Sequence, residues 1–169
     1  LALVVVSIFG QDVVSKVRKN VCGVTIVEDA AQSFGSDGCI TNADIACTSF
    51  FPSKPLGAYG DGGAIFTNNS ALARRCKRLR NHGQEGKYNH VELGLLSRLD
   101  TIQAAILLSK LEVFDDEVNT RLLLSKKYEK KCDSIGLAYV KTSAGNTNLR
   151  AQYTILTPAE NDRDELVEF

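Results

Sequence analysis

The chain has 169 residues, of which 20 are Lys or Arg and 20 are Asp or Glu, so its formal charge at neutral pH is zero. That balance excludes the basic footprint of a nucleic-acid-binding domain, while a hydrophobic content of 44% is ordinary for a globular fold. The five cysteines, at 22, 39, 47, 76 and 132, are odd in number and lack C-x-x-C spacing; they read as reduced thiols of a cytoplasmic protein, not as a disulfide framework or zinc site.

Residues 1–9 are apolar but too short to span a bilayer, and they lack the basic flank and cleavage site of a signal peptide. Residues 3–9 read as a buried strand, Gly10 as a turn and Asp12 as a helix N-cap. Val13, Val14 and Val17 give that helix an apolar face before Gly23 ends it. Val24-Thr25-Ile26-Val27 is β-branched enough for a buried strand of a parallel sheet. The result is a strand–helix–strand unit with the right-handed crossover that joins parallel strands.

Residues 47–51 and 64–67 are further strand candidates, flanking a turn rich in Pro and Gly. Residues 70–80 form a basic helix, capped by Ser70 or Asn69 and closed near Gly83; Arg74, Arg75, Lys77, Arg78 and Arg80 read as its solvated face. A longer helical region starts near Asp100, with Ile102, Ala105, Ile106, Leu108, Leu111 and Phe114 as a core or subunit-facing stripe. Another helix spans 118–132 before Gly136, and residues 151–157 alternate as a strand of a smaller domain. The domain division is placed at 117/118, giving a larger unit over 1–117 and the beginning of a second over 118–169.

Two segments carry chemistry. Lys54 lies in Phe50-Phe51-Pro52-Ser53-Lys54-Pro55-Leu56-Gly57, with aromatic and proline residues before it and glycines after it. A lysine in apolar surroundings loses hydration, which favours the neutral amine that attacks a carbonyl. By itself Lys54 reads more simply as a solvated loop lysine. Glu28 and Asp29 follow the strand at 24–27, at the carboxyl end where open α/β sheets bind ligands. A carboxylate there could hold a proton on a heteroaromatic nitrogen, the pairing that pyridoxal phosphate (PLP) enzymes require; the plainer reading of Asp29 is a helix cap.

The run Glu28-Asp29-Ala30-Ala31-Gln32-Ser33-Phe34-Gly35, followed by Ser49-Phe50-Phe51-Pro52-Ser53-Lys54-Pro55-Leu56-Gly57 and Gly60-Asp61-Gly62-Gly63-Ala64-Ile65-Phe66-Thr67, resembles the DegT/StrS family of PLP-dependent sugar aminotransferases. The similarity continues through Arg80-Asn81-His82-Gly83-Gln84 and Ser97-Arg98-Leu99-Asp100-Thr101-Ile102-Gln103-Ala104-Ala105. Within that family the wording is most similar to the enzymes that aminate UDP-linked 3-keto-N-acetylglucosaminuronic acid. The resemblance implies an α/β, aspartate-aminotransferase-like fold, with part of the large-domain sheet plus the start of the small C-terminal domain. It also implies PLP as cofactor, an amino-acid donor (glutamate expected), a nucleotide-linked keto-sugar acceptor and a homodimer with shared sites. No nucleic acid, membrane or metal is implied.

Residue by residue, the resemblance makes Lys54 the Schiff-base lysine and proton carrier, and Asp29 the partner of the pyridinium nitrogen. Gln32 matches the position that contacts the ring hydroxyl, and Ser49, five residues before Lys54, the serine that hydrogen-bonds the phosphate. Arg98 matches the arginine of a G-x-N-x-R segment reaching the neighbouring subunit's substrate. Gly60, Gly62 and Gly63 allow tight turns, Asp61 is a turn residue, and His82 and His90 are capping or packing residues without a metal partner.

Leu96 departs from this pattern, because relatives carry an asparagine there that contributes to phosphate binding across the dimer; leucine donates no hydrogen bond. Family members run to roughly twice this length. The chain, which begins at Leu1 and contains no methionine, is therefore expected to be an internal portion with an interrupted sheet and an exposed apolar edge. Two other readings stay open: a dehydratase of the same family, against which Lys54 argues, and a non-catalytic remnant or assembly partner that keeps the fold.

Overall fold

Branched side chains favour extended backbone, and they place three parallel strands in the computed structural model, which describes residues 1–142 and 147–168. These are β1 (Ala2–Val6), β2 (Thr25–Asp29) and β3 (Ile45–Ser49); β4 (Gly63–Phe66) runs antiparallel beside β3, giving the order β1-β2-β3-β4. The register pairs Val5 with Glu28, Asp29 with Cys47 and Ser49 with Gly63. β1, β3 and β4 begin one or two residues before their sequence-based bounds, whereas β2 is shifted one residue later at its start and two at its end, so Glu28 and Asp29 complete β2 and do not follow it.

The crossover from β1 to β2 carries α1 (Val14–Arg18), whose buried Val14 packs with Val5 and Ile26. Asp12 does act at its start, its Oδ1 accepting from the Ser15 N–H at 2.9 Å. The helix stops well before Gly23, because the Asn20 side chain and backbone N–H turn back onto the carbonyls of Lys16 and Val17. Arg18 then bonds Asp44 at 3.1 Å, and Asp44 also accepts from the Ile26 N–H at 2.7 Å, tying the crossover to the entrance of β3.

Beside the β4 end of the sheet, α3 (Thr101–Leu111) and the start of α4 (Phe114–Ile135) pack on the turn that follows β3. Phe50, Leu56, Ala58, Leu107 and Phe114 form this core, and the Phe34 ring bridges Phe66 and Phe114 at centroid distances of 5.7 and 5.8 Å. The single helical stripe expected from Ile102 to Phe114 is broken at Glu112–Val113, and Phe114 opens the second helix. On one face of the sheet Val4, Val6 and Ile65 are 65%, 50% and 55% exposed. The expectation of a buried first strand is therefore corrected: β1 is a sheet edge, paired on one side only, and its outward residues meet no covering layer.

α2 (Ser70–Leu79) is capped by Asn69, whose Oδ1 accepts from the N–H groups of Ala71 and Leu72. α4 runs unbroken through the 117/118 position and ends at Gly136, φ +69°. Beyond it, β5 (Ala138–Tyr139) pairs antiparallel with β6 (Ile155–Leu156), and α5 (Glu160–Glu168) follows. The strand expected over 151–157 shortens to two residues. Arg150, at φ +53°, turns the backbone, and its buried guanidinium pairs with Glu129 at 2.8 Å. Asn148 and Leu149 are buried against the beginning of the chain, bonding the Phe9 carbonyl and Ser36 Oγ.

Ile26 is fully buried between β1 and α1. Ile26→Ala is expected to lower unfolding free energy by ~2–5 kcal/mol, whereas Thr25→Ala, at an exposed neighbour, should change it little. Equal urea midpoints for the two variants would place the core elsewhere.

Candidate functional site

Alternation along β2 separates two adjacent carboxylates. Glu28 is fully buried, with Oε1 accepting from Ser7 Oγ at 2.7 Å and Oε2 from the Ile40 N–H at 2.8 Å. A buried carboxylate survives only with donors of this sort. Asp29 points to the other, open face; its Oδ1 accepts from the Ala31 N–H at 3.0 Å, and Oδ2 has no partner among the described residues. The local bond is the turn-capping role of the plainer reading, yet one oxygen is left for a ligand.

Ser49 ends β3 on the same face as Asp29 and Cys47, as the register requires. Its Oγ accepts from the Phe51 N–H at 3.2 Å, leaving its own proton to donate. Lys54, half-buried, follows in a turn closed by three backbone bonds: Lys54 N–H to Phe51 O at 2.9 Å, Ala58 N–H to Phe50 O at 2.7 Å and Phe50 N–H to Gly62 O at 2.8 Å. Gly57 is required here by close approach, since a Cβ on it would lie 2.5 Å from the Pro52 carbonyl oxygen. Gln32 is half-buried in the turn after β2, which the Ala30 carbonyl organises by accepting from Ser33, Phe34 and Thr48 Oγ1. Asp29 and Ser49 thus stand at the carboxyl ends of β2 and β3, and Gln32 and Lys54 lie in the segments that follow those ends.

Arg98 is not brought to that cluster. It is exposed, without a hydrogen-bond partner among the described residues, and lines a groove of about 760 Å³ between β4, α2 and residues 97–99. Asp61, Lys77 and Arg80 also line this groove, whereas Asp29, Gln32, Ser49 and Lys54 do not. Cys47 connects the two regions, being the register partner of Asp29 and part of the groove wall. Burial, and then the charge of Asp29, push its thiol pKa up. The sequence places Cys47 among scattered thiols and at the start of a strand candidate; its two-residue spacing from Ser49 is the signal that both share a face.

The loop from Asn81 to Ser97 is held by charge and by glycine contacts. Arg78 pairs with Glu92 at 2.8 Å and Glu85 at 3.3 Å, and Arg75 with Glu92 at 3.2 Å. The basic run expected to be simply solvated is therefore partly an ion-paired surface. Gly83, at φ +68°, has no room for a Cβ, which would meet the Glu92 carbonyl oxygen at 1.7 Å. The His82 carbonyl accepts from His90 Nδ1 at 2.9 Å, which leaves Nε2 to accept from the Gln84 amide at 3.1 Å. Leu96, bridged to Asn81, is exposed together with Leu93 and Leu95. Among the described residues no group of three or more His, Cys, Asp or Glu side chains could hold a metal, and no helix is long and apolar enough to cross a membrane.

A mainly parallel sheet with one antiparallel edge strand and a lysine turn between its last two strands defines the aspartate-aminotransferase-like, PLP-dependent transferase fold. The chain belongs to the DegT/DnrJ/EryC1/StrS aminotransferase family, which it matches over residues 2–169. It is 43% identical to the UDP-2-acetamido-2-deoxy-3-oxo-D-glucuronate aminotransferase of Pseudomonas aeruginosa, over 91% of this chain and 45% of that protein. Among solved structures, S. venezuelae DesV is 31% identical with a TM-score of 0.88, covering 99% of this chain and 47% of that one. NtdA of Bacillus subtilis, solved with bound cofactor PMP, is 27% identical with a TM-score of 0.87, covering 98% and 40%. The chain spans about half the length of the relatives it matches.

The acid behaviour of the 81–97 loop follows from Glu92. Burial alone would raise its carboxyl, but hydrogen bonds from Arg78 and then Arg75 outweigh it and hold the group below its ordinary 4.5. Its contribution is therefore fully present above that value and is lost as pH falls through the lower, folded one. Glu92→Gln should be less stable than the parent at neutral pH, with the difference closing in acid. A difference that stays constant across the acid limb of a circular-dichroism titration would show that the ion pairs do not hold the loop.

Proposed function

We propose that this chain carries the lysine-bearing part of a PLP-dependent sugar aminotransferase, which moves an amino group from an amino acid, glutamate expected, to a nucleotide-linked keto-sugar. The 43% likeness to the P. aeruginosa enzyme makes a UDP-linked 3-oxo sugar acid the first acceptor to test, within a cytoplasmic route to surface polysaccharide. The observation that supports the reading is that Asp29 and Ser49 end the neighbouring strands β2 and β3 on one face, with Gln32 and Lys54 in the segments that follow.

The chemistry of that set fits the cofactor. Oδ2 of Asp29, without a partner among the described residues, suits a protonated ring nitrogen, the Ser49 hydroxyl has a proton to donate to phosphate, and Gln32 can bond a ring hydroxyl. When bound, PLP supplies an aldehyde and an electron-withdrawing ring. Lys54 Nζ would hold that aldehyde, then accept and return the proton moved between carbon atoms during amino transfer. Arg98, exposed and without a hydrogen-bond partner among the described residues, offers a planar set of donors for a substrate carboxylate or phosphate in the site of a second subunit. This assigns residues 1–117 to the cofactor domain and 118–169 to a connecting helix and the start of the smaller domain, in a homodimer.

A second reading, a non-catalytic member that keeps the fold, is favoured by Leu96. A missing hydrogen bond to a charged phosphate weakens binding by about 1.5–3 kcal/mol, roughly 10- to 150-fold. The two readings part on borohydride trapping of added PLP followed by peptide mapping. A catalytic chain gives an adduct on Lys54 that Lys54→Ala abolishes, and Leu96→Asn tightens PLP binding by the factor above. A folded sample with no adduct on Lys54 would overturn the aminotransferase reading in favour of the second.

A further inference from the structure

The turn that carries Lys54 projects from the sheet between β3 and β4 without a strand beside it. Its apolar anchors, Leu56 and Ala58, sit on Leu107 and Phe114. Apolar contact is non-directional, so it holds the turn down without fixing where residues 54–60 lie along the helix. Two polar contacts from α3 do that. Lys110 Nζ donates to the Gly57 carbonyl at 2.6 Å, and Gln103 Oε1 accepts from the Tyr59 N–H at 2.9 Å. Gln103, Leu107 and Lys110 are spaced i, i+4, i+7 and so form one stripe of the helix, polar at both ends and apolar between.

We propose that Gln103 and Lys110 are positioning residues for Lys54, a two-point clamp that sets where its amine stands relative to Asp29 and Ser49. This rests on the proposed function above. The ammonium-to-carbonyl bond is charge-assisted, hence short and strong for its kind. It grips the turn three residues beyond Lys54, and the Tyr59 bond grips it five residues beyond. A reacting amine displaced by even an ångström loses productive geometry, so a helix remote from the chemistry would govern how readily Lys54 reacts. Both partners are specified chemically: position 110 must supply a cationic donor and position 103 an acceptor.

The test is hydrogen exchange of the cofactor-free chain, paired with the rate of borohydride-trapped PLP capture on Lys54. Lys110→Met and Gln103→Met should each raise exchange of amides in residues 54–60 about tenfold or more, leave β1–β3 peptides unchanged and slow capture. Lys110→Arg and Gln103→Glu, which keep the donor and the acceptor, should restore both readouts. Should Lys110→Met not fold, the Gln103→Met and Gln103→Glu pair, which alters a single acceptor, decides the question. Exchange at the parent's rate in residues 54–60 of both methionine variants overturns the clamp, as does loosening that spreads equally through β3 and α4. A loosened turn in the variants, with no adduct on Lys54 in the parent, leaves the clamp standing and overturns the proposed function instead.

Discussion

The buried carboxylate of Glu28 is the constraint on which the cofactor end of the sheet depends. Its two bonds join the residue after β1, Ser7, and the return loop, through Ile40, to the carboxyl end of β2. Removing either donor would leave a buried carboxyl oxygen without its hydrogen bond. Because strand side chains alternate, fixing Glu28 on the covered face fixes Asp29 on the open one. A slip of one residue would exchange the two carboxylates and bury the wrong one. The candidate site therefore inherits its geometry from a residue that cannot touch a ligand.

A similar division of labour runs through the rest of the fold. The covered face contributes packing: Val5, Val14 and Ile26 beside α1, and Phe50, Leu107 and Phe114 beneath α3 and α4. The open face contributes polar atoms with spare bonding capacity at Asp29 and Ser49. The lysine turn belongs to both, its Leu56 and Ala58 in the core while Lys54 stays half in solvent. Half-burial suits a group that must be held by the protein and reached by a ligand.

The loop after α2 is built differently. Gly83 and Gly94 pack backbone on backbone, with space for no side chain, and Arg75 and Arg78 converge on Glu92. This brings Leu93, Leu95 and Leu96 to the surface, and puts Arg98 in a groove instead of beside Lys54. An arginine delivered outward by a rigid loop is suited to a site completed by another surface, in keeping with the shared sites proposed above.

Local matters were legible in the chain alone: β-branched runs marked the strands, Asn69 and Gly136 the ends of helices, and the Glu-Asp and Ser-Phe-Phe-Pro-Ser-Lys segments the family. These are legible because propensity, capping and motif order involve neighbours in the chain. Tertiary structure alone decided that Glu28 is internal while Asp29 is open, that β1 is an edge with exposed valines, and that the basic run pairs with Glu92. It also decided that Arg150 cuts the last strand short and that Gln103 and Lys110 reach the lysine turn across 44 and 53 residues. Burial and pairing of this kind depend on which distant segments meet, and no local pattern encodes the meeting of a helix face with a turn.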